Sequence, residues 1–319
     1  MILRIASRLL AVLLATAHLS PGAMAAEPIH LIVPTPPGSA SDALGRAIST
    51  PWSQIGGRPV VIENVAGAGG TIGTARLVRS PNDGSTLAIL SSNHSINPAL
   101  YKKLPYDGVT DVTPIIMIGN IPSMLVASPG LEANTVAELI RLAQSGKKEL
   151  VEGVVSGTSY QMASEIFKQH ADISTSRIPY KGSGEVLRDL MGGELDIGFV
   201  AAQAAAPLVA AGKLKGIAVT TKARIDLAAQ VPTAAESGLP KFQIDIWLGV
   251  FGPAGMNAAS IAARRKEIEL ALEKPEAKRA MQLQGVEAIH MTQPEILSFL
   301  KKDLERNREI IQRMGMTIY

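Results

Sequence analysis

The sequence predicts an α/β protein of two lobes, the first of them discontinuous, joined by two crossing strands. Three observations predict it. Short apolar runs alternate with amphipathic helical stretches along most of the chain, the pattern of a parallel sheet with helices on both faces. At 319 residues the chain exceeds what one hydrophobic core usually serves. Two extended apolar runs, 113–128 and 242–251, read as the strands by which the chain leaves one lobe and later returns. On that reading residues 27–125 and 246–319 form the first lobe and 126–245 the second, with a cleft between them.

Taken in order, Ile29 to Arg46 reads as a strand, a loop rich in Pro and Gly, and the first turns of a helix. Ser39 can cap that helix, with Asp42 three residues on to complete a capping box. Pro59–Glu63 is a strand, and GAGGTIG (67–73) turns into a helix through Val78. A dinucleotide fingerprint fails there, because the position of its third glycine is Ile72, and no Lys-Ser or Lys-Thr follows to make a phosphate loop. The glycines therefore read as a tight turn that lets a helix start close to the sheet. Thr86–Ser91 is a strand, and Asn93, His94 and Asn97 lie just past its end, where open α/β sheets bind ligands.

Beyond the first crossing, Thr135 caps a helix to Gln144, with Glu138 completing its box. Glu152–Val155 is a strand, and SGTSYQ (156–161) opens a helix whose buried face carries Met162, Ala163, Ile166 and Phe167. This repeats the local grammar of the opening stretch. Ser176–Tyr180 is a strand ending in PYKG, Glu185–Met191 a helix, Leu195–Val200 a strand after the Gly192-Gly193 turn, and Leu214–Thr220 another. After the return crossing come helices over Ala259–Leu272, from Pro275, and over Gln293–Arg313, the last strongly amphipathic.

Residues 1–26 read as an export leader. Arg4 and Arg8 form its basic start, Leu9–Ala17 its apolar core, and Ala23-Met24-Ala25 a cleavage site that places processing near Ala25 or Ala26. The apolar run is too short to span a bilayer. Removing the leader takes the basic residues from 31 to 29 against 28 acidic, so the mature chain has no electrostatic footprint for nucleic acid. With no cysteine, disulfides, thiolate catalysis and a lipoprotein anchor are excluded. Of the four histidines after the leader, His30, His94, His170 and His290, none has a metal-site partner, and no G-x-S-x-G marks a nucleophile. Lys181 beside Tyr180 could serve as a base, but a lysine at a strand end more often binds a ligand anion or stays solvated. Asp189, Glu194 and Asp196 match no metal-ligand spacing. No enzyme activity, metal or cofactor is expected.

The chemistry that remains is in the backbone. Free amides and the positive end of a helix favour a carboxylate or phosphate without a cationic side chain. Each contact is worth roughly 0.3–1 kcal/mol when exposed and up to about 2 when partly buried, so useful affinity needs such a site on each lobe. The repeated strand–loop–helix unit supplies two.

The ordered set of LIVPTPPGSASD (31–42), VVIENVAGAGGTIG (60–73), DGSTLAILSSNHSINPALYKKLPYD (83–107), IPYKGSGEVLRDLMGGELD (178–196), AGKLKGIAVT (211–220), VPTAAESGLP (231–240) and WLGVFGPAG (247–255) resembles the Bug, or TctC-like, family of extracytoplasmic solute receptors. The resemblance covers nearly all of the mature chain. It implies a periplasmic binding protein of the type II, Venus-flytrap kind that closes as a monomer on a small carboxylate and delivers it to the membrane permease of a tripartite tricarboxylate transporter. The other roles considered are a ligand sensor for a signalling partner and an exported α/β enzyme. Carried onto this chain, the family's ligand-holding positions are Thr35, Pro36, Gly38, Ser39, Ala40 and Asp42 on one lobe and Ser156, Gly157, Thr158 and Ser159 on the other. Asn97, Tyr180, Lys181 and Gly182 are further candidates, and Asp196 resembles an acid that meets a ligand amine or hydroxyl. The sequence departs from the family pattern where Ser39 replaces a usual Gly, Thr35 a usual aromatic, Val155 a usual Gly and Gln161 a usual His.

Overall fold

Runs such as IHLIV and TLAILS give strands because their apolar and β-branched side chains suit a buried pleated surface. The computed structural model describes residues 27–240, 242, 244 and 246–313; the expected leader and its cleavage site lie outside them. The first lobe starts with β1 (Ile29–Val33), α1 (Ala40–Gly56), β2 (Val60–Asn64), a single 3-10 turn (Ala68–Gly70), α2 (Thr71–Val78), β3 (Thr86–Ser91), α3 (Asn93–Leu100) and β4 (Val112–Ile121). The second comprises β5 (Ser123–Ala127), α4 (Val136–Gln144), β6 (Val151–Val155), α5 (Ser159–Ala171), β7 (Ser176–Tyr180), α6 (Ser183–Gly192), β8 (Ile197–Ala201), α7 (Ala202–Ala210) and β9 (Lys215–Val219). The chain returns through β10 (Ile246–Pro253) and ends with α8 (Ala258–Leu272), α9 (Pro275–Gln284), β11 (Glu287–Ala288) and α10 (Gln293–Arg313).

The two sheets share one plan. The first runs β11-β4-β10-β3-β1-β2 and the second β7-β6-β8-β5-β9. Setting aside β11 and reading the first from its β2 edge, they match strand for strand. In each, the first two αβ units pair in parallel, β1 with β2 and β3, β6 with β7 and β8. The fourth strand, β10 or β5, enters from the other lobe and runs antiparallel to both neighbours. The sheets are thus mixed rather than wholly parallel.

The crossings fall slightly off their expected places. β5 joins the second sheet from Ser123, so the handover is at Pro122, before the expected boundary at 125. Proline has no N–H to carry a ladder onward, and the chain changes sheets there. The return strand expected over 242–251 begins only at Ile246 and runs to Pro253. Phe242 and Ile244 are buried in the core instead, Phe242 edge-on to Phe167, so their apolar character serves packing and not a ladder.

Helices cover both faces of each sheet. In the first lobe Leu44, Ile48 and Trp52 of α1 and Ile268 of α8 pack on one face, and Trp52 Nε1 donates to Glu267 Oε2 at 2.9 Å. Leu77, Trp247, Ile296, Leu300 and Leu304 fill the other. This layering leaves the loops after β1, β3 and β6 at strand ends facing the cleft.

Candidate functional site

The loop after β1 is set by its own short-range bonds. Ser39, extended at φ −68° and ψ 162°, caps α1 by accepting from Asp42 N–H at 3.2 Å. Asp42 Oδ2 accepts from Gly38 N–H at 2.9 Å, and Asp42 also receives Arg46 Nε at 3.0 Å and Asn64 Nδ2 at 2.9 Å. Burial pushes the Asp42 carboxyl up, but the bonds from Arg46, Gly38 and Asn64 and the Arg46 charge outweigh it and hold the group below the usual range. Asp42 is therefore an organiser of the loop, fully used by the protein, and not a free group for a ligand. Gly38, at φ +82°, adopts the left-handed backbone that brings its amide onto Asp42.

The loop after β6 is built the same way. Gly157, at φ +69°, donates its N–H to Gln161 Oε1 at 2.8 Å. The side chain four residues after the glycine holds its amide in both lobes, Asp42 in one and Gln161 in the other. Thr158 starts α5 and turns its hydroxyl back to Val155 O at 2.7 Å. The departures from the family pattern are thereby accommodated: Thr35 Oγ1 and Ser39 Oγ bond each other at 2.6 Å, and Gln161 takes the Gly157 amide. The first-turn amides without an intrahelical acceptor are those of Ala40 and Ser41 in α1 and of Ser159 and Tyr160 in α5, and of these Ser159 N–H is engaged by Asn93 Oδ1.

The two lobes meet at the starts of α3 and α5. Asn93 Oδ1, on the first turn of α3, accepts from Ser159 N–H at 3.2 Å and from Ser159 Oγ at 3.1 Å. Ser92 Oγ and Ser159 Oγ lie 2.6 Å apart, both residues buried. The structure is thus of a closed cleft. Under α3 remains a cavity of about 20 Å³, lined by residues that include Thr35, Gly69, Asn93, His94 and Asn97. His94 is buried, with Nε2 2.8 Å from Gly108 O, and burial drives its pKa down to about 4, so the ring is neutral.

Not every candidate lies in this cleft. Thr35, Pro36, Gly38 and Ser39 sit on the β1 loop with Ala40 and Asp42 in the first turn of α1, Ser156, Gly157 and Thr158 on the β6 loop with Ser159 first in α5, and Asn97 on α3 beneath the GAGGTIG turn, where its Nδ2 donates to Gly69 O at 3.1 Å. Tyr180 ends β7 beside Ser156, whose N–H donates to Tyr180 O at 3.3 Å. Its hydroxyl turns to Asp189 Oδ2 at 2.7 Å, and burial together with that carboxylate pushes its pKa up to about 12. Lys181 is exposed and Gly182 starts α6.

Asp196 is placed at the wrong end of the sheet. It precedes β8, accepts from Val151 N–H at 2.9 Å, and pairs with Lys148. Val151 begins β6, and the cleft loop follows its end, about 13 Å away at strand rise. An acid just before a parallel strand faces away from the ligand end. Conversely, the tight turn read from GAGGTIG is present and also faces the other lobe: a Cβ on Gly69 would stand 3.6 Å from Gly157 O. Glycine spacing alone carried no signal of that contact.

The profile described as "Tripartite tricarboxylate transporter family receptor" matches residues 44–316. The chain belongs to this receptor family. It is 30% identical to the protein BugT of Bordetella pertussis over 91% of this chain and 90% of BugT. It is 31% identical to a UPF0065 protein of Pseudomonas sp. over 91% of this chain and 87% of that one. Among solved structures it is similar to a Rhodopseudomonas palustris protein solved with adipate, at 28% identity and a TM-score of 0.80, over 91% of this chain and 98% of the other. The family consists of solute-binding receptors, and among the described residues no helix is long and apolar enough to cross a membrane.

Proposed function

We propose that this receptor captures a small mono- or dicarboxylate between its lobes and delivers it to the membrane permease of a tripartite tricarboxylate-type system, acting as an exported, periplasmic monomer. The observation that carries the reading is the facing pair of strand–loop–helix units, each with its glycine amide pinned by the side chain four residues on and with first-turn amides that have no intrahelical acceptor. The adipate held by the related Rhodopseudomonas protein supports the ligand class. Reversible capture needs no reactive side chain, and among the described residues no cluster of acids and histidines could hold a metal ion.

Opening must precede entry, because Ser92 and Asn93 of one lobe are hydrogen-bonded to Ser159 of the other. A carboxylate would then replace Asn93 Oδ1 as the acceptor for Ser159 N–H. Thermal unfolding across a panel of carboxylates, sugars and cations tests the reading. A ligand at 100 times its Kd should add about 2.7 kcal/mol. Stabilisation confined to sugars or cations would overturn it.

A further inference from the structure

The lobes also touch behind the hinge. The two crossings run side by side, with Ile121 paired to Ile246. In the first sheet β3, which leads into Ser92 of the cleft, lies to one side of the crossing strands β4 and β10, and β11 lies to the other. In the second sheet β6, whose loop leads into Ser159, lies to one side of β5, and β9 lies to the other. The residues just after β9 and just before β11 therefore belong to the flank away from the cleft, and there they meet. Gly285 ends α9 in the left-handed conformation, at φ +64°. A Cβ on it would stand 2.5 Å from Leu227 Cδ1 of the other lobe and 3.3 Å from Pro122 Cγ of the crossing, so the space between the lobes is already full at this point. Leu227 lies in a short 3-10 turn (Asp226–Ala228) and packs on the second-lobe core. Beside it Gln203 Nε2 of α7 reaches Gln284 Oε1 only at 3.4 Å, and Gln203 Oε1 is buried without a partner. Steric contact, and not bonding, defines this heel.

We infer that Leu227 against Gly285 is a stop that resists opening of the cleft, and that Leu227 thereby sets ligand affinity from outside the binding site. Two lobes turning about the crossings move in opposite senses on the two flanks. The rotation that separates Asn93 from Ser159 therefore drives Leu227 toward Gly285. That approach starts from contact, and close-packed groups yield only by shifting side chains or backbone at a cost. The stop disfavours the open state against every closed one, with or without ligand, and apparent affinity follows that balance. It acts on the hinge, so it applies to whichever ligand the cleft takes.

The test trims and enlarges the stop in the full chain. Without ligand, Leu227→Ala should have a larger radius of gyration in small-angle scattering than the unsubstituted protein, and Leu227→Phe an equal or smaller one. In isothermal titration with succinate and with adipate, Leu227→Ala should weaken both by the same factor, about tenfold, because a residue behind the hinge touches neither acid. Leu227→Val, one carbon smaller than leucine, should move both readouts in the same direction by less, and it carries the test if Leu227→Ala fails to fold. An unchanged radius in the trimmed variants, a larger one in Leu227→Phe, or a loss of affinity that differs between the two acids would overturn the inference. If neither acid binds, the radii decide by themselves, since scattering needs no ligand, and the carboxylate reading is then judged separately.

Discussion

At the scale of single residues, Asp42 and His94 carry charge-dependent stability of different kinds. Asp42 has its pKa lowered in the folded state from 3.8, so its contribution is complete above that value and is lost as pH falls through the folded pKa. Asp42→Ala leaves the Gly38 amide and Asn64 without their acceptor and should cost about 1–3 kcal/mol at neutral pH, with a weaker loss on acidification, measured by urea unfolding. His94 has its pKa depressed from 6.5 to about 4, so between those values the unfolded chain binds more protons and stability falls as pH falls. The full span is worth about 3 kcal/mol, and His94→Gln should flatten the unfolding profile between neutral pH and about pH 5. An unchanged slope would remove His94 from the account. The role of Ser39 as a cap was legible because S-x-x-D before an apolar run has a local meaning. That Asp42 would be consumed by its own loop was not, since it depends on Asn64 arriving from a neighbouring strand.

At the scale of elements, the starts of α3 and α5 set the resting position of the lobes. Ser159 makes two bonds to Asn93 Oδ1 and one to Ser92 Oγ, and each hydrogen bond contributes about 0.5–1.5 kcal/mol net. Asn93→Ala should therefore move the ligand-free population toward the open form by roughly tenfold, seen as a larger radius of gyration in small-angle scattering. A radius identical to that of the unsubstituted protein would mean that the closed state is held elsewhere. The alternation of strands and helices was readable along the whole chain because burial periodicity is local. The sheet changes were readable only approximately. Pro122 marks the first, yet nothing local separates the packing residues Phe242 and Ile244 from the strand that starts at Ile246. Asp196 shows the same limit: its motif places it by sequence, whereas the direction of β8 decides which end of the sheet it occupies.

For the whole molecule, two sheets of the same strand order, each completed by a strand from the other lobe, place two matching helix starts across one cleft. On the proposed reading, the amide that opening frees from Asn93, Ser159 N–H, is one that a carboxylate would meet. A crystal structure with the carboxylate that stabilises the protein most tests this directly. The expected result is a carboxylate within hydrogen-bond distance of the first-turn amides of both α1 and α5, with Asn93 displaced from Ser159. A ligand bound outside the cleft, or one whose carboxylate faces neither helix start, would contradict it.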